Sequence, residues 1–273
     1  MRLLKGKKIA DKILGDLKRA IKRENLKPGL AVVLVGENKA SKVYVGLKKK
    51  AAQKAGIDFY VYKFKESGKE SDVVGKIKKL DKDKKIHGII VQLPLPKKFN
   101  MQKIINTISL AKDADGFHPK NLQKFIAGKK SIQPVFPKAI MKMIAAVPKT
   151  RAVVISNSKI FGETMTAALK QKGIVGQYIL HKNYKKSLPA VRRTDILISA
   201  IGKPGLIKGE MVKKGAIIID GGITKIGKKV LGDADFQSVK NKASYLSPVP
   251  GGVGPVTIAC LLENVYLLSK KSR

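Results

Sequence analysis

Short apolar runs alternate with basic, helically periodic segments along the first half of this chain. Ile9, Ile13, Leu14, Leu17 and Ile21 recur at helical spacing, which predicts a basic amphipathic helix within the first 30 residues. Pro28-Gly29 ends it, and Leu30-Ala-Val-Val-Leu-Val35 predicts a short buried strand closed by Gly36. Ser41 is placed to cap a helix from about Lys42 to Ala55, stopped by Gly56. Residues 59–64 alternate as a second strand does, and Ser71 opens another helix. Residues 87–92 form a third strand, broken by Leu93-Pro-Leu-Pro96. Strand and helix alternating at this pace predict βαβ units and a mainly parallel sheet.

A second series follows a helix expected at Lys138 to Val147. Strands are predicted at 152–156, 177–181, 195–199 and 216–220, with a helix at 160–172. This is the rhythm of a dinucleotide-binding domain. The apolar stretch from Thr257 to Leu268 predicts a last helix that returns to the first domain. The expected fold is therefore α/β with two domains. Residues 1–140 plus 257–273 form a parallel-sheet catalytic domain, and residues 141–256 form a Rossmann-type domain.

Composition narrows the class. No apolar run approaches the roughly 20 residues of a membrane-crossing helix. The start of the chain, Met1-Arg-Leu-Leu-Lys-Gly-Lys-Lys8, has no apolar stretch long enough for a secretory signal. The single cysteine, Cys260, excludes an intrachain disulfide and fits a reducing compartment, so a cytoplasmic location is expected. His87, His118 and His181 are scattered, and no metal site is expected. With 57 Lys+Arg against 19 Asp+Glu the formal charge is +38. Such a field attracts polyanions, and nonspecific nucleic-acid adhesion is one reading of it. The lysines are nevertheless spread along nearly the whole chain, and the chain lacks Trp. A solvated basic surface is the other reading.

Five segments carry candidate chemistry. Tyr44 and Lys48 stand at i and i+4 on one helical face, where a ring can stack on a planar ligand and a desolvated amine can move protons. Gln92 ends a strand before a proline-rich turn, where a side-chain amide can orient a neighbour, and Asp115 sits in a tight turn that reads equally as a functional carboxylate or as a plain turn-forming Asp-Gly. Ser156-Asn157-Ser158 sits between a strand and a helix, where its side chains serve either a phosphate or a plain N-cap. Residues 247–257 hold three glycines and three prolines in eleven positions, a stiff loop able to lie against a flat ligand.

In order along the chain stand Tyr-Val-x-x-Lys (44–48), Val-Gln-Leu-Pro-Leu-Pro (91–96) and Asp-Ala-Asp-Gly-Phe-His-Pro (113–119). Gly-Lys-Pro-Gly (202–205) and Ser-Pro-Val-Pro-Gly-Gly-Val-Gly-Pro-Val-Thr (247–257) complete the series. The chain thereby resembles, along essentially its whole length, the bifunctional methylenetetrahydrofolate dehydrogenase/methenyltetrahydrofolate cyclohydrolase family. The resemblance implies a homodimer whose two domains wall a cleft, acting on tetrahydrofolate derivatives in one-carbon metabolism and purine biosynthesis. It implies hydride transfer from 5,10-methylenetetrahydrofolate to NADP, with NAD as the alternative, and hydrolysis of the methenyl product to 10-formyltetrahydrofolate. Lys48 would be the central amine, tuned by Gln92. Tyr44 would stack on the folate and Asp115 hold the pterin, while Leu93, Pro250, Gly251 and Gly252 contact substrate. Ser156, Asn157, Ser158, Lys182, Ile223, Gly254 and Thr257 would face the cofactor.

The departures from the family fall mainly on the cofactor side. Ser156-Asn157-Ser158 stands where Gly-Arg-Ser is usual, and Asn157 lacks the charged fork that grips a 2′-phosphate. Phe161-Gly-Glu-Thr164 replaces Val-Gly-x-Pro, His181-Lys182 replaces His-Ser, and Pro134-Val-Phe-Pro137 replaces Pro-Cys-Thr-Pro. Lys182 offers a point charge in place of the missing arginine. The expected function is thus the bifunctional enzyme with altered cofactor contacts. The alternatives are a cyclohydrolase with weakened or lost dehydrogenase activity, and a basic nucleic-acid-binding protein that has recruited the fold.

Overall fold

The structure, a computed structural model, describes residues 1–145, 150–227 and 229–272. The first half runs β1 (Arg2–Leu3), α1 (Gly6–Arg23), β2 (Gly29–Val35), α2 (Lys39–Ala55), β3 (Asp58–Phe64), α3 (Glu70–Lys82) and β4 (Gly88–Val91). Helices α4 (Met101–Asn106), α5 (Pro119–Ile126) and α6 (Val135–Ile144) follow. The second half runs β5 (Arg151–Ser156), α7 (Lys159–Lys170), β6 (Val175–Leu180), α8 (Leu188–Val191), β7 (Ile196–Ala200) and β8 (Ile217–Asp220). Strands β9 (Thr224–Ile226) and β10 (Lys229–Leu231), helix α9 (Phe236–Val239), strand β11 (Tyr245–Leu246) and helix α10 (Val253–Lys271) complete the chain.

The chain divides into two compact units. One comprises Asp11–Phe125, Lys130–Val135 and Ile258–Arg273. The other comprises Met1–Ala10, Ile126–Lys129 and Phe136–Thr257. In the first, β3, β2 and β4 pair in parallel in that order, with β2 in the middle. Every residue of β2 is buried, which is why Leu30 to Val35 is a continuous apolar run rather than an alternation. Ala31, Val33 and Ile89 pack with Val73, Ile77 and Leu80 of α3 on one face. A Cβ on Gly88 would lie 2.9 Å from Val265 of α10 and 2.9 Å from Ala114, so the last helix and the loop after α4 press directly on β4. The expected return of the C-terminal helix to the first domain is met here.

The second unit carries a six-stranded sheet in the order β1-β11-β8-β7-β5-β6, and every pairing in it is parallel. Because β5 pairs with β6 on one side and β7 on the other, the strand order reverses at β5. That is the switch point outside whose strand ends such sheets place ligands. Val153, Ile155, Leu197 and Ile218 join Ile207, Met211 and Val239 in the core beside it.

Several expected boundaries shift. Asn38, not Ser41, caps α2, its Oδ1 accepting from the Ser41 amide at 2.9 Å, so the helix starts earlier. Helix α3 begins at Glu70, with no side-chain cap at Lys69. Helix α6 starts at Val135, ahead of the expected Lys138, and the end expected at Val147 lies outside the described residues. Helix α10 starts at Val253, so the stiff segment is a loop only to Gly252. Pro255 is accommodated in the first helical turn, where a missing N–H leaves no intrahelical bond unmade. Among the described residues no helix is long and apolar enough to cross a membrane, and no cluster of His, Cys, Asp and Glu could hold a metal.

Candidate active site

Helix α2 positions Tyr44 and Lys48 one turn apart, and Ser41 at its start donates to the Leu93 carbonyl at 3.3 Å. At the end of β4 the Gln92 amide bonds the Val33 carbonyl at 2.8 Å, extending the sheet by one residue. The Gln92 side chain donates from Nε2 to the Leu93 carbonyl at 2.8 Å. That bond turns its Oε1 toward Lys48, whose Nζ donates to it at 3.0 Å. The amine is thus held by a neutral acceptor that leaves its charge uncompensated.

Asp115 supplies the opposite charge. Its turn is built by Asp113, whose carboxylate accepts from the amides of Phe117 (3.1 Å) and His118 (2.9 Å) and from Asn121 Nδ2 (2.9 Å). From α10, Asn264 Nδ2 donates to the carbonyls of Ala114 and Gln133, each at 2.9 Å. Gly116 adopts φ +70°, and a Cβ there would lie 2.9 Å from Pro134, so glycine is required on both counts. Burial pushes the Asp115 carboxyl up to about 6, against the pull of the Lys48 charge and with the help of Asp113. Burial also lowers Lys48, with Asp115 opposing the shift, and raises Tyr44. Both shifts run toward neutral pH, the direction that suits groups able to transfer protons.

At the sheet switch point the chain organises differently. Buried Ser156 Oγ donates to the Ser158 carbonyl (2.7 Å) and accepts from the Ser158 amide (3.1 Å), which makes a tight turn. Ser158 Oγ caps α7, accepting from the Phe161 amide at 3.2 Å, and Asn157 Nδ2 donates to the Ile201 carbonyl at 2.8 Å. All three side chains therefore serve the loops themselves. A Cβ on Gly162 would lie 2.5 Å from the Tyr178 ring, so Gly162 permits the close helix–strand approach typical of a dinucleotide fold.

Lys182 follows β6 and is exposed, as is Ile223 beyond β8. Gly254 lies in the first turn of α10, and Thr257 Oγ1 bonds back to the Val253 carbonyl at 3.0 Å. Gly251 adopts φ +99° and its carbonyl accepts from the Gly6 amide at 2.9 Å, while Gly252 is buried and Pro250 exposed. Burial lowers His181, the Lys203 charge lowers it further, and Asp233 opposes. Lys182 and Lys203, both exposed, follow the ends of β6 and β7. Those lysines and the N-terminus of α7 suit a pyrophosphate-bearing dinucleotide.

Sequence reasoning did not single out Asp113, Asn264, Gly162, Asp220 or Asp233. Asp113 stands in a quoted motif, but its role depends on amides four and five residues on. Gly162 likewise stands in the quoted Phe161–Thr164 segment, and Asn264, Asp220 and Asp233 become visible only when distant segments meet.

Residues 4–115 match the model of the tetrahydrofolate dehydrogenase/cyclohydrolase catalytic domain, and residues 134–273 match that of its NAD(P)-binding domain. The chain is 41% identical over 279 residues to a bifunctional protein FolD of Geotalea daltonii, covering 99% of each. It superposes with a TM-score of 0.93 on a FolD methylenetetrahydrofolate dehydrogenase/cyclohydrolase from Campylobacter jejuni, at 38% identity and 99% coverage of both chains. The TM-score is 0.91, at 30% identity, for the Trypanosoma brucei methylenetetrahydrofolate dehydrogenase-cyclohydrolase complexed with NADP and an inhibitor, covering 98% of this chain and 97% of that one. The sequence motifs, the two α/β sheets and these matches agree: the chain belongs to the tetrahydrofolate dehydrogenase/cyclohydrolase family.

Proposed function

We propose that this protein oxidises 5,10-methylenetetrahydrofolate to 5,10-methenyltetrahydrofolate with NADP and hydrolyses that product to 10-formyltetrahydrofolate. The observation that carries the reading is the Lys48–Gln92 hydrogen bond beside buried Asp115. NADP, when bound, accepts the hydride that leaves the methylene carbon.

The remaining work falls to the chain's own groups. Tyr44 and Leu93 present apolar surface to the folate rings, and Asp115 hydrogen-bonds the pterin. The Pro250–Gly252 backbone is assigned to substrate as well. Lys48 in its neutral form takes the proton from the water that adds at the methenyl carbon. It returns the proton as the ring C–N bond opens, so that one water is consumed and one proton released. Gln92 holds Nζ in place without fixing its charge, which a carboxylate in the same position would do. Burial is what makes the neutral amine accessible near neutral pH.

On the cofactor side, Lys182 is assigned to the 2′-phosphate, with Ile223, Gly254 and Thr257 beside the dinucleotide. The side chains of residues 156–158 are engaged within their loops, which favours a second reading in which NADP is held weakly and cyclohydrolase dominates. One assay of purified protein with methylenetetrahydrofolate, with NADP and with NAD, separates the two.

We also assign a homodimer. Among the described residues strand β6 ends its sheet, and Val175 at its start is 73% exposed, so a strand edge is available to a second copy. Light scattering on the purified chain tests it. Nucleic-acid adhesion, if measured, is assigned to the +38 charge and to no built site.

A further inference from the structure

Asp233 lies between β10 and α9 and is fully buried. Its Oδ2 accepts from Ser199 Oγ at 2.6 Å and from the Ile201 amide at 2.8 Å. Its Oδ1 accepts from the amides of Gly202 and Lys203, both at 2.8 Å. Three successive backbone N–H groups thus converge on one carboxylate.

Asp233 is itself seated by a second buried acid. Asp220, at the end of β8, accepts from the amides of Gly222 (3.0 Å), Asp233 (3.0 Å) and Ala234 (2.8 Å). Two glycines exist to let these acids in. A Cβ on Gly222 would stand 2.1 Å from Asp233 Oδ1, and one on Gly232 would stand 2.1 Å from Asp220 Oδ2.

The segment held this way is Ile201–Lys203, which leaves β7 at the switch point. It has no regular structure, Gly202 adopts φ +78°, and Gly202 and Lys203 are exposed. Its carbonyls are tied from the other side, Ile201 by Asn157 Nδ2 at 2.8 Å and Gly202 by Thr224 Oγ1 at 2.9 Å. Asn157 belongs to the turn after β5, so that bond spans the two strands between which the sheet order reverses. An acid needed only to fill the interior would find partners in the interior. This one reaches outward, to a solvent-facing loop at the place where α/β sheets receive their ligands.

We propose that Asp233, seated by Asp220, is a positioning residue for the dehydrogenase reaction: it fixes Ile201–Lys203 in the shape that receives the dinucleotide. The inference rests on the NADP-dependent reading above. Asp233→Asn keeps the size but turns an amide N–H₂ toward donors, and an unmatched pair of donors expels the loop.

The test joins hydrogen exchange of the 201–203 amides with NADPH binding followed by the ligand's own fluorescence, which no Trp in this chain obscures. In Asp233→Asn, exchange at these amides should quicken about tenfold or more, and the NADPH Kd should rise about tenfold. The KM for NADP should rise with it, more than kcat falls, while cyclohydrolase turnover by the Lys48 cluster stays at the wild-type level. Ser199→Ala removes one donor of four and is the milder variant should Asp233→Asn not fold. It should show the same pattern at roughly two- to threefold.

Unchanged exchange, or quickened exchange with unchanged NADPH affinity, overturns the proposal. Parallel loss of NADPH binding and cyclohydrolase turnover overturns it too, because Asp233 would then be general scaffold. If the wild-type chain binds no NADPH, the functional reading fails and this inference with it. Normal wild-type binding with unaffected variants overturns this inference alone.

Discussion

The Lys48 cluster and the switch-point loops are both dense hydrogen-bond networks, yet they do opposite things with their side chains. Around Lys48 the supporting groups hold the polypeptide from behind: Asp113 and Asn264 fix the turn, and Gln92 is pinned to the Leu93 carbonyl. The functional atoms of Lys48 and Asp115 are thereby left to perturb one another. At the switch point, Ser156, Asn157, Ser158 and Asp233 direct their functional atoms at the backbone, and the loops are what a ligand would meet. The Lys48 cluster keeps its titratable side chains perturbed and available, as proton transfer would need. A site that binds a dinucleotide can be made of shaped backbone and a few exposed lysines.

The sharpest way to break this contrast is at Lys48. Lys48→Met should lower cyclohydrolase turnover by a hundredfold or more while the protein stays folded, since a positioned acid–base group supplies at least that much. Retention of more than about a tenth of wild-type turnover, measured as decay of methenyltetrahydrofolate absorbance, would remove the amine from the reaction.

Next in size is the stability held back by Asp115. Its folded-state pKa, about 6, exceeds the ordinary 3.8, so between those values the folded protein binds more protons than the unfolded one. Stability therefore falls as pH rises through that window, by up to roughly 3 kcal/mol for this group. Asp220 behaves in the same way and is present in wild type and variant alike. In Asp115→Asn the decline between pH 4 and pH 7 should be smaller by about that amount. Urea midpoints that decline equally in both proteins would show that the carboxyl is not desolvated.

Lys182 sharpens the other side of the comparison. A single exposed point charge on a phosphate is expected to matter about tenfold, less than the acid–base group. Lys182→Ala should raise the KM for NADP by about that factor and leave NAD-dependent and cyclohydrolase rates nearly unchanged. Equal loss with NADP and NAD would move Lys182 to the pyrophosphate. The smallest effect belongs to the surface charge. Added DNA should leave folate turnover unaltered, and any adhesion, read by mobility shift, should vanish between 50 and about 200 mM salt. Sequence-selective binding at physiological salt would contradict this.

The contrast also explains what the sequence revealed. The strands were legible because β2, β5, β7 and β8 are buried apolar runs. Tyr44, Lys48, Gln92 and Asp115 could be picked out because they stand in motifs of the family the chain resembles; residue type alone left Lys48 as one lysine among many and Asp115 as an ordinary turn former. The cap at Asn38 was missed because Ser41, three residues on, offers an equally good capping side chain. The very short strands β1 and β11 carry no periodic signal at two residues each, and form only because they pair with each other and with β8. Asp220 and Asp233 were missed for a different reason. Their partners are mostly backbone amides, and a backbone donor leaves no mark in a sequence. The same fact makes Asn157 ambiguous from sequence alone, since its amide meets the Ile201 carbonyl only through the fold.

The proposed function requires one chain to run both reactions, with the chemistry at Lys48 and the cofactor on the switch-point loops. It is tested most directly by following purified protein with 5,10-methylenetetrahydrofolate, with NADP and with NAD in parallel, in one spectrophotometer. Reduced cofactor and 10-formyltetrahydrofolate are the expected products, formed faster with NADP than with NAD by a modest factor. Hydrolysis of methenyltetrahydrofolate with no reduction of either cofactor would contradict it and leave a cyclohydrolase alone.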